Sequence, residues 1–150
     1  MNGPAICSRR RLLIHTGALL GTTVGCASAA TGAEPEAFGT VSAGSVADMS
    51  VGSLRPVEGA PAILGRDANG LYAMSSTCTH EGCDMIAEGQ VDASGVYCAC
   101  HGSRFNVNGG VTAGPATEPL THFAVSIDMT GNITVEGGTK VGAGVRTAVV

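Results

Sequence analysis

The sequence reads CTHEGC at residues 78–83 and CACHGS at residues 98–103. Each of these two boxes contains a cysteine and a histidine two or three residues apart, together with a second cysteine. This spacing lets one loop present a thiolate and an imidazole from the same side, and two such loops can clamp a metal centre from opposite faces. Cysteine and histidine are common ligands of zinc and of iron centres. The boxes therefore predict a metal site formed by Cys78, His80, Cys98 and His101.

Two other uses of these residues stay open at this point. Two cysteines and two histidines also make a tetrahedral zinc site, although zinc fingers favour one pair of cysteines and one pair of histidines. Alternatively, the four cysteines form two plain disulfides, as cysteines of exported proteins often do. The ligand-like spacing of His80 and His101 from these cysteines would then be a coincidence. Cys-x-His, seventeen residues and then Cys-x-x-His is, however, the ligand pattern of a 2Fe-2S centre in which two imidazoles replace two thiolates.

The chain from residue 49 onward has the pattern of short strands separated by turn residues. Pro56 indicates that a first strand at 51–57 lies at a sheet edge or ends there. The turn residues at 67–70 separate strands at 62–66 and 71–75. Further strands are expected at residues 104–107, 121–127 and 133–136, with turns at 108–110 and 129–132. Because no segment keeps a helical apolar period, we predict an all-β fold, a small antiparallel sandwich or barrel with a metal-binding subdomain of two loops.

The first 33 residues have the order of an export signal, with charged, then apolar, then small residues. Arg9 and Arg10 resemble the twin-arginine signal, which serves proteins exported already folded with their cofactor. Residues 27–29 fit an A-x-A cleavage site, whereas Cys26 ends a lipobox-like TVGC and would then be lipidated. An uncleaved membrane anchor is the third alternative.

The composition of the chain after residue 33 indicates a linker, a folded domain and a tail. We expect a flexible linker at residues 34–47, which are rich in Ala, Gly, Ser, Glu and Pro, a folded domain at 48–136 and a C-terminal tail at 137–150. From residue 34 onward the chain carries 5 basic and 12 acidic residues, a net charge of −7. Such a domain would be repelled by nucleic acid, so we expect a basic redox protein rather than nucleic acid as its partner.

The boxes and their surroundings resemble the Rieske proteins of the disulfide-containing type, similar to the electron-transfer subunits of cytochrome bc complexes. The match covers about residues 49–136. The resemblance implies that Cys78 and Cys98 hold one iron of a 2Fe-2S cluster, and that His80 and His101 hold the other.

The resemblance also assigns roles to residues around the ligands. It implies a disulfide between Cys83 and Cys100 that ties the two loops together. Gly114 and Pro115 resemble the proline loop that covers the cluster in this family. Ser103 matches a serine whose hydroxyl bonds a bridging sulfide.

Two residues depart from the respiratory members of the family. Phe105 occupies the place of a tyrosine whose hydroxyl bonds a ligand sulfur, and fewer hydrogen bonds to sulfur lower the reduction potential. Glu81 replaces an apolar leucine at the exposed cluster tip and adds a negative charge there. We therefore predict a potential below that of quinol-oxidising members and above that of plant-type ferredoxins.

These features predict a one-electron carrier exported to the outer face of the cytoplasmic membrane or to the periplasm, with possible tethering through its N-terminus. Its expected partner is a cytochrome or a larger oxidase subunit. We expect no catalytic residue of its own and no small-molecule substrate. Three alternatives stay open: the small Rieske subunit of an exported molybdenum oxidase similar to arsenite oxidase, the iron–sulfur subunit of a cytochrome bc-type quinol oxidase, and a structural zinc domain.

Overall fold

A computed structural model of the protein describes residues 33–35 and 37–149. The predicted export signal, with Arg9, Arg10 and Cys26, lies outside these residues except for Ala33. The described chain is built from ten strands and one turn of 3-10 helix, Val46–Asp48. None of its helices is long and apolar enough to span a bilayer. The predicted all-β class is confirmed.

The strands form two antiparallel sheets. A six-stranded sheet, here the base sheet, has the order β1-β10-β9-β4-β3-β2, and a four-stranded sheet, here the site sheet, has the order β5-β6-β7-β8. The strands are β1 Thr40–Ser45, β2 Ser53–Pro56, β3 Ala62–Asp67, β4 Gly70–Ser75, β5 Gly89–Asp92, β6 Gly95–Cys98, β7 Arg104–Phe105, β8 Val111–Ala113, β9 His122–Ile127 and β10 Asn132–Val141.

The two hairpins expected in the base sheet form at the expected turns. Between β3 and β4, the Asp67 carboxylate accepts a hydrogen bond from the Asn69 N–H at 2.8 Å. Gly70 closes this turn with φ +139°, and a Cβ there would lie 2.2 Å from the Thr147 carbonyl oxygen. Between β9 and β10, the Asp128 carboxylate accepts from the N–H groups of Thr130 and Asn132. Short polar side chains that bond their own backbone fix both turns.

Strand β4 places the site because it is buried on both faces. Leu71 and Ala73 point into a core formed by the base sheet. Tyr72 and Met74 point the other way and pack against the second core, which also contains Cys78 and residues of the site sheet. Since successive side chains of a strand alternate between faces, one strand joins the two cores, and the first box follows directly from its end.

The predicted linker at 34–47 and tail at 137–150 are wrong in part. Residues 40–45 form β1, which pairs with β10 in the base sheet, and β10 continues to Val141. The Gly137 N–H donates to the Gly39 carbonyl, and the Phe38 ring packs so closely on Gly137 that a Cβ there would lie 2.4 Å from it. The chain then returns to β4, where Thr147 and Leu71 exchange two backbone hydrogen bonds of 2.9 Å. Val41 and Ala43 of β1 do face the base-sheet core, but two small apolar residues among Ser, Thr and Gly gave too weak a pattern to indicate a strand.

Arg146 holds the C-terminal segment on both sheets. Its Nε lies 2.6 Å from an Asp67 carboxylate oxygen, its Nη2 donates to Asn108 Oδ1 at 2.6 Å, and its guanidinium stacks 4.0 Å from the Tyr72 ring centroid. Burial acts to raise the pKa of Asp67, but the hydrogen bonds from Arg146 and from the Asn69 N–H outweigh it and lower that pKa. Arg146 therefore joins the β3–β4 turn, the buried strand and the turn after β7.

We expect Arg146→Met to lower the free energy of unfolding by about 1–3 kcal/mol, because it removes a partly buried, hydrogen-bonded charge. Urea unfolding followed by circular dichroism measures this loss. Since the pKa of Asp67 is lowered in the folded state, its contribution exists above the ordinary carboxyl pKa and disappears as the pH falls through the folded pKa. The difference in stability between wild type and Arg146→Met should therefore shrink in acid.

Lys140→Met is the control, because it breaks only the exposed pair with Glu34 and should cost less than about 0.5 kcal/mol. An equal loss in both variants would contradict the role given to Arg146.

Candidate metal centre

The two boxes form loops with the same backbone design. Loop 1, residues 78–83, follows β4, and loop 2, residues 98–103, follows β6. In each loop the N–H of the first cysteine donates to the carbonyl of the sixth residue at 2.9 Å, and the fifth residue donates back to that cysteine's carbonyl at 2.9 or 3.0 Å. The fifth residues, Gly82 and Gly102, have φ values of +77° and +87°. Each loop thus reverses the chain within six residues and presents its side chains toward the other loop.

The four predicted ligands separate into a buried pair and a pair near the surface. Cys78 and Cys98 are free thiols, each only 1% exposed. Burial raises the pKa of the Cys98 thiol, and a hydrogen bond with Cys78 raises it further. The two thiols are buried side by side, so they can ligate one metal centre once deprotonated. The rings of His80 and His101 meet edge to face with centroids 4.9 Å apart.

One ring nitrogen at this site has no polar partner. His80 Nδ1 is buried and makes no hydrogen bond within the described part of the chain. Burying such a nitrogen without a partner is unfavourable, which is the condition expected of an atom that binds a metal. His122 Nε2 is also buried without a hydrogen-bond partner in the described structure. The His122 ring, however, stacks on Tyr72 with centroids 6.2 Å apart and does not adjoin His80 or His101. Two buried thiols and two adjoining imidazoles, one with an unpaired nitrogen, fit a cluster held by two cysteines and two histidines.

The expected disulfide is present. Cys83 of loop 1 is bonded to Cys100 of loop 2, with their Cα atoms 6.7 Å apart. Disulfide formation uses the two box cysteines that are not in the candidate ligand set. It therefore excludes the alternative of two plain disulfides, because the other two cysteines stay free thiols.

A third segment, residues 114–118, is fastened to both loops. The Ser103 side chain is fully buried, and its Oγ accepts a hydrogen bond from the Ala116 N–H at 3.0 Å. The Thr79 hydroxyl donates to the Glu118 carbonyl at 2.7 Å. Ser103 keeps its own hydroxyl proton free to donate, while Gly114 and Pro115 stay exposed at the edge of the site. Thr79 was not among the predicted site residues, although its place directly after Cys78 is the signal that could have indicated it.

Phe105 and Glu81 occupy opposite environments. Phe105 is 2% exposed in β7, where its ring belongs to the same apolar core as Cys78 and Cys98 and offers no hydroxyl. The Glu81 side chain is 62% exposed, and its Oε2 lies 3.6 Å from Nε2 of His101, whose side chain is 45% exposed. A carboxylate of loop 1 therefore contacts a candidate ligand of loop 2, a pairing that no sequence spacing indicates.

Comparison with known proteins agrees with this arrangement. Residues 40–124 match the family described as "Rieske [2Fe-2S] domain". The chain is 37% identical over 97 residues to Ferredoxin CarAc of Metapseudomonas resinovorans, which covers 62% of this chain and 89% of that protein. It is 36% identical over 66 residues to the cytochrome b6-f complex iron-sulfur subunit of Synechococcus sp. (strain WH7803), covering 44% of this chain and only 36% of that subunit.

Two solved structures have a similar fold. A chain in the complex of reduced oxygenase and oxidized ferredoxin in carbazole 1,9a-dioxygenase matches with a TM-score of 0.51 and 32% identity, over 68% of this chain and 95% of the matched chain. The plasma membrane Rieske protein PetC3 of Synechocystis PCC 6803 matches with a TM-score of 0.51 and 28% identity, over 64% of this chain and 98% of that one.

Proposed function

The chain belongs to the Rieske [2Fe-2S] domain family, and from that premise we propose that it is a free-standing one-electron carrier working outside the cytoplasm. Its cofactor is a Rieske-type 2Fe-2S cluster. We assign Cys78 and Cys98 as ligands of one iron, and His80 and His101 as ligands of the other. When bound, the cluster accepts or releases a single electron.

The observation that carries this proposal is the placement of the two ligand pairs. The thiols are buried, whereas the His101 side chain is 45% exposed and adjoins the half-buried His80. The imidazoles therefore give the site its contact with a partner protein, while loop 1, loop 2 and residues 114–118 keep water from the thiols.

The surroundings of the ligands support a potential in the lower part of the Rieske range. Phe105 supplies no hydroxyl to a ligand sulfur, and the Glu81 carboxylate lies against His101. Both features disfavour the added negative charge of the reduced state.

We expect Glu81→Gln to raise the potential by about 20–40 mV, since removing a charge a few ångströms away changes the energy by about 1 kcal/mol or less at high dielectric, and 59 mV corresponds to a tenfold change for one electron. Phe105→Tyr should raise it by a comparable amount if the new hydroxyl reaches a ligand sulfur. Protein-film voltammetry measures both changes. A wild-type value near the top of the roughly −150 to +300 mV Rieske range would refute the proposal of a lowered potential.

The proposed location outside the cytoplasm is supported by the N-terminal sequence and by the disulfide. The residues that support export are Arg9, Arg10 and the small residues around Cys26. The disulfide between Cys83 and Cys100 is consistent with an oxidising compartment. Mass spectrometry of the mature N-terminus would distinguish a lipidated Cys26 from cleavage after Ala29.

Two other functions within the family are separated by one experiment. A Rieske subunit of an exported molybdenum oxidase would purify with a large molybdenum-containing subunit. A subunit of a quinol-oxidising complex would purify with a cytochrome b, although Glu81 fits poorly against an apolar quinone site. Purification of the tagged native protein without a stable partner supports the free carrier, and either complex overturns it. Metal analysis that finds zinc and no iron would instead support the structural zinc alternative.

A further inference from the structure

Three sulfur atoms lie together where loops 1 and 2 meet. The Sγ atoms of Cys83, Cys98 and Cys100 are all within 4.8 Å of one another. Cys83 and Cys100 share the disulfide, whereas Cys98 is a buried free thiol. Since an S–S bond is about 2.05 Å long, the Cys98 sulfur has to approach either disulfide sulfur by less than about 3 Å to bond with it. A free thiol this close to a disulfide is placed to exchange with it.

The Glu88 carboxylate lies against one of the two disulfide sulfurs. Its Oε2 is 2.9 Å from Sγ of Cys100, and the Glu88 carbonyl accepts a hydrogen bond from the Ala99 N–H at 3.1 Å, which holds the two residues together. A sulfur in a disulfide carries no proton, so it has nothing to donate to this oxygen, whereas a Cys100 thiol does. Glu88 therefore stabilises Cys100 as a free thiol and gives the disulfide no such support.

We propose that Cys98 exchanges with this disulfide whenever the cluster does not hold its sulfur, and that the bond then joins Cys83 to Cys98. The proposal rests on the assignment of Cys98 as an iron ligand, because an iron bound to its sulfur prevents the attack. In the exchange the Cys98 sulfur bonds to the Cys83 sulfur, the bond from Cys83 to Cys100 breaks, and the proton lost by Cys98 is replaced by one gained by Cys100. One disulfide is present before and after, so the step needs no oxidant and no reductant.

The chain favours this product over a bond between Cys98 and Cys100. Cys83 and Cys98 are fifteen residues apart, close to the separation of 17 in the existing disulfide, so closing either loop costs nearly the same entropy. A bond from Cys98 to Cys100 would close a tight ring around Ala99 alone, and it would leave the Glu88 carboxylate without a thiol to accept from. Cys78 is outside the group of three sulfurs and keeps its free thiol.

The exchanged chain is still cross-linked but has lost a ligand. The new disulfide joins Cys83 of loop 1 to Cys98 of loop 2, so the two loops stay tied together while one of the four iron ligands is used up. Insertion of the cluster before the disulfide forms avoids this product. Export of the protein already folded with its cofactor, as the twin arginines indicate, would provide that order of events.

The test compares the mature holoprotein with the same protein after a chelator has removed its metal under argon. Free thiols are labelled with light N-ethylmaleimide in acid denaturant, which stops exchange, and the remaining cysteines are labelled with the heavy form after reduction. Tandem mass spectrometry then locates each label. The holoprotein should carry light label at Cys78 and Cys98. About half of the metal-free molecules should carry it at Cys78 and Cys100, because the two loops differ little in closure entropy.

Three variants separate the roles of the residues. Glu88→Ala should lower the ratio of exchanged to original pairing about threefold, as expected for the loss of one hydrogen bond of ordinary net strength. Glu58→Ala removes an exposed glutamate between β2 and β3 and should leave this ratio unchanged. Cys98→Ser removes the attacking sulfur, so the bond between Cys83 and Cys100 should persist.

The position of the labels decides the outcome. Two light labels per set of four box cysteines indicate exchange, since oxidation lowers that number. Light label confined to Cys78 and Cys98 in the metal-free protein would overturn the proposal, as would release of Cys100 in Cys98→Ser. Loss of light label from Cys78 would show scrambling in an unfolded chain and would overturn it as well. Metal analysis that finds zinc would refute the electron-carrier function, while the exchange would still be measured after chelation, so the two failures are distinguishable.

Discussion

Replacing His80 with Gln is expected to abolish the Rieske-type electron paramagnetic resonance and visible circular dichroism signals. His80 Nδ1 is a buried ring nitrogen without a hydrogen-bond partner in the described structure, so it is the atom whose only evident use is to bind iron. The β-sheet circular dichroism of the chain should persist, because the base sheet forms from residues outside loop 1. His101→Gln should have the same effect.

His122→Gln is the matched control for this experiment. It replaces a buried histidine that also has an unpaired ring nitrogen but stacks on Tyr72 in the fold interior. We expect this variant to keep the full iron content and both spectroscopic signals. An unchanged signal in His80→Gln would show that His80 is not a ligand. Loss of the signal in His122→Gln as well would show that the loss follows from replacing any buried histidine and does not identify ligands.

Removing the disulfide is expected to have the second largest effect. The bond between Cys83 and Cys100 closes a loop with a sequence separation of 17, for which chain entropy gives about 3 kcal/mol of stabilisation. The double variant Cys83→Ser/Cys100→Ser should lose about this much free energy of unfolding, measured by urea titration. Because the two loops would then separate more easily and admit water, the potential should fall before the cluster is lost.

A chemical reductant provides the control for the disulfide variant. Tris(2-carboxyethyl)phosphine should lower the stability of the wild-type protein toward that of the double variant and leave the double variant unchanged. If the double variant kept wild-type stability and potential, the covalent link would have no part in holding loops 1 and 2 together, and their shared hydrogen-bonding pattern would have to suffice.

The sequence allowed prediction of those parts of the fold that depend on local chemistry. The turns at 67–70 and 129–132 were predictable from their turn-forming residue types, and the Asp67 and Asp128 carboxylates fix them by accepting backbone hydrogen bonds. The two boxes were predictable as one metal site because the types of ligand and the Cys-x-His and Cys-x-x-His spacings match those of a known cluster. The pairing of β1 with β10 was not, since the apolar alternation of residues 40–45 consists only of the small residues Val41 and Ala43, and the partner strand lies almost a hundred residues later.

The finer structure of the site depends on how the loops meet in space. Nothing in the spacing of Glu81 and His101 indicates that their side chains approach to 3.6 Å. That distance results from the disulfide and from the way β4 and β6 position loops 1 and 2. Thr79 and Ser103 likewise reach residues 114–118 only because the site sheet folds that segment back.

The pairing of β4 with β9 has a consequence for the order of folding. Met74 lies opposite His122, and the Ser75 N–H donates to the Thr121 carbonyl at 2.8 Å, so the whole metal-binding subdomain is one long insertion whose two ends are side by side. Joining those ends lowers the loop-closure entropy lost when loops 1 and 2 meet. Nucleation at this strand pair would therefore speed maturation of the metal centre. Substitutions at Phe123, which belongs to the base-sheet core, should slow cluster incorporation more than they alter the finished site.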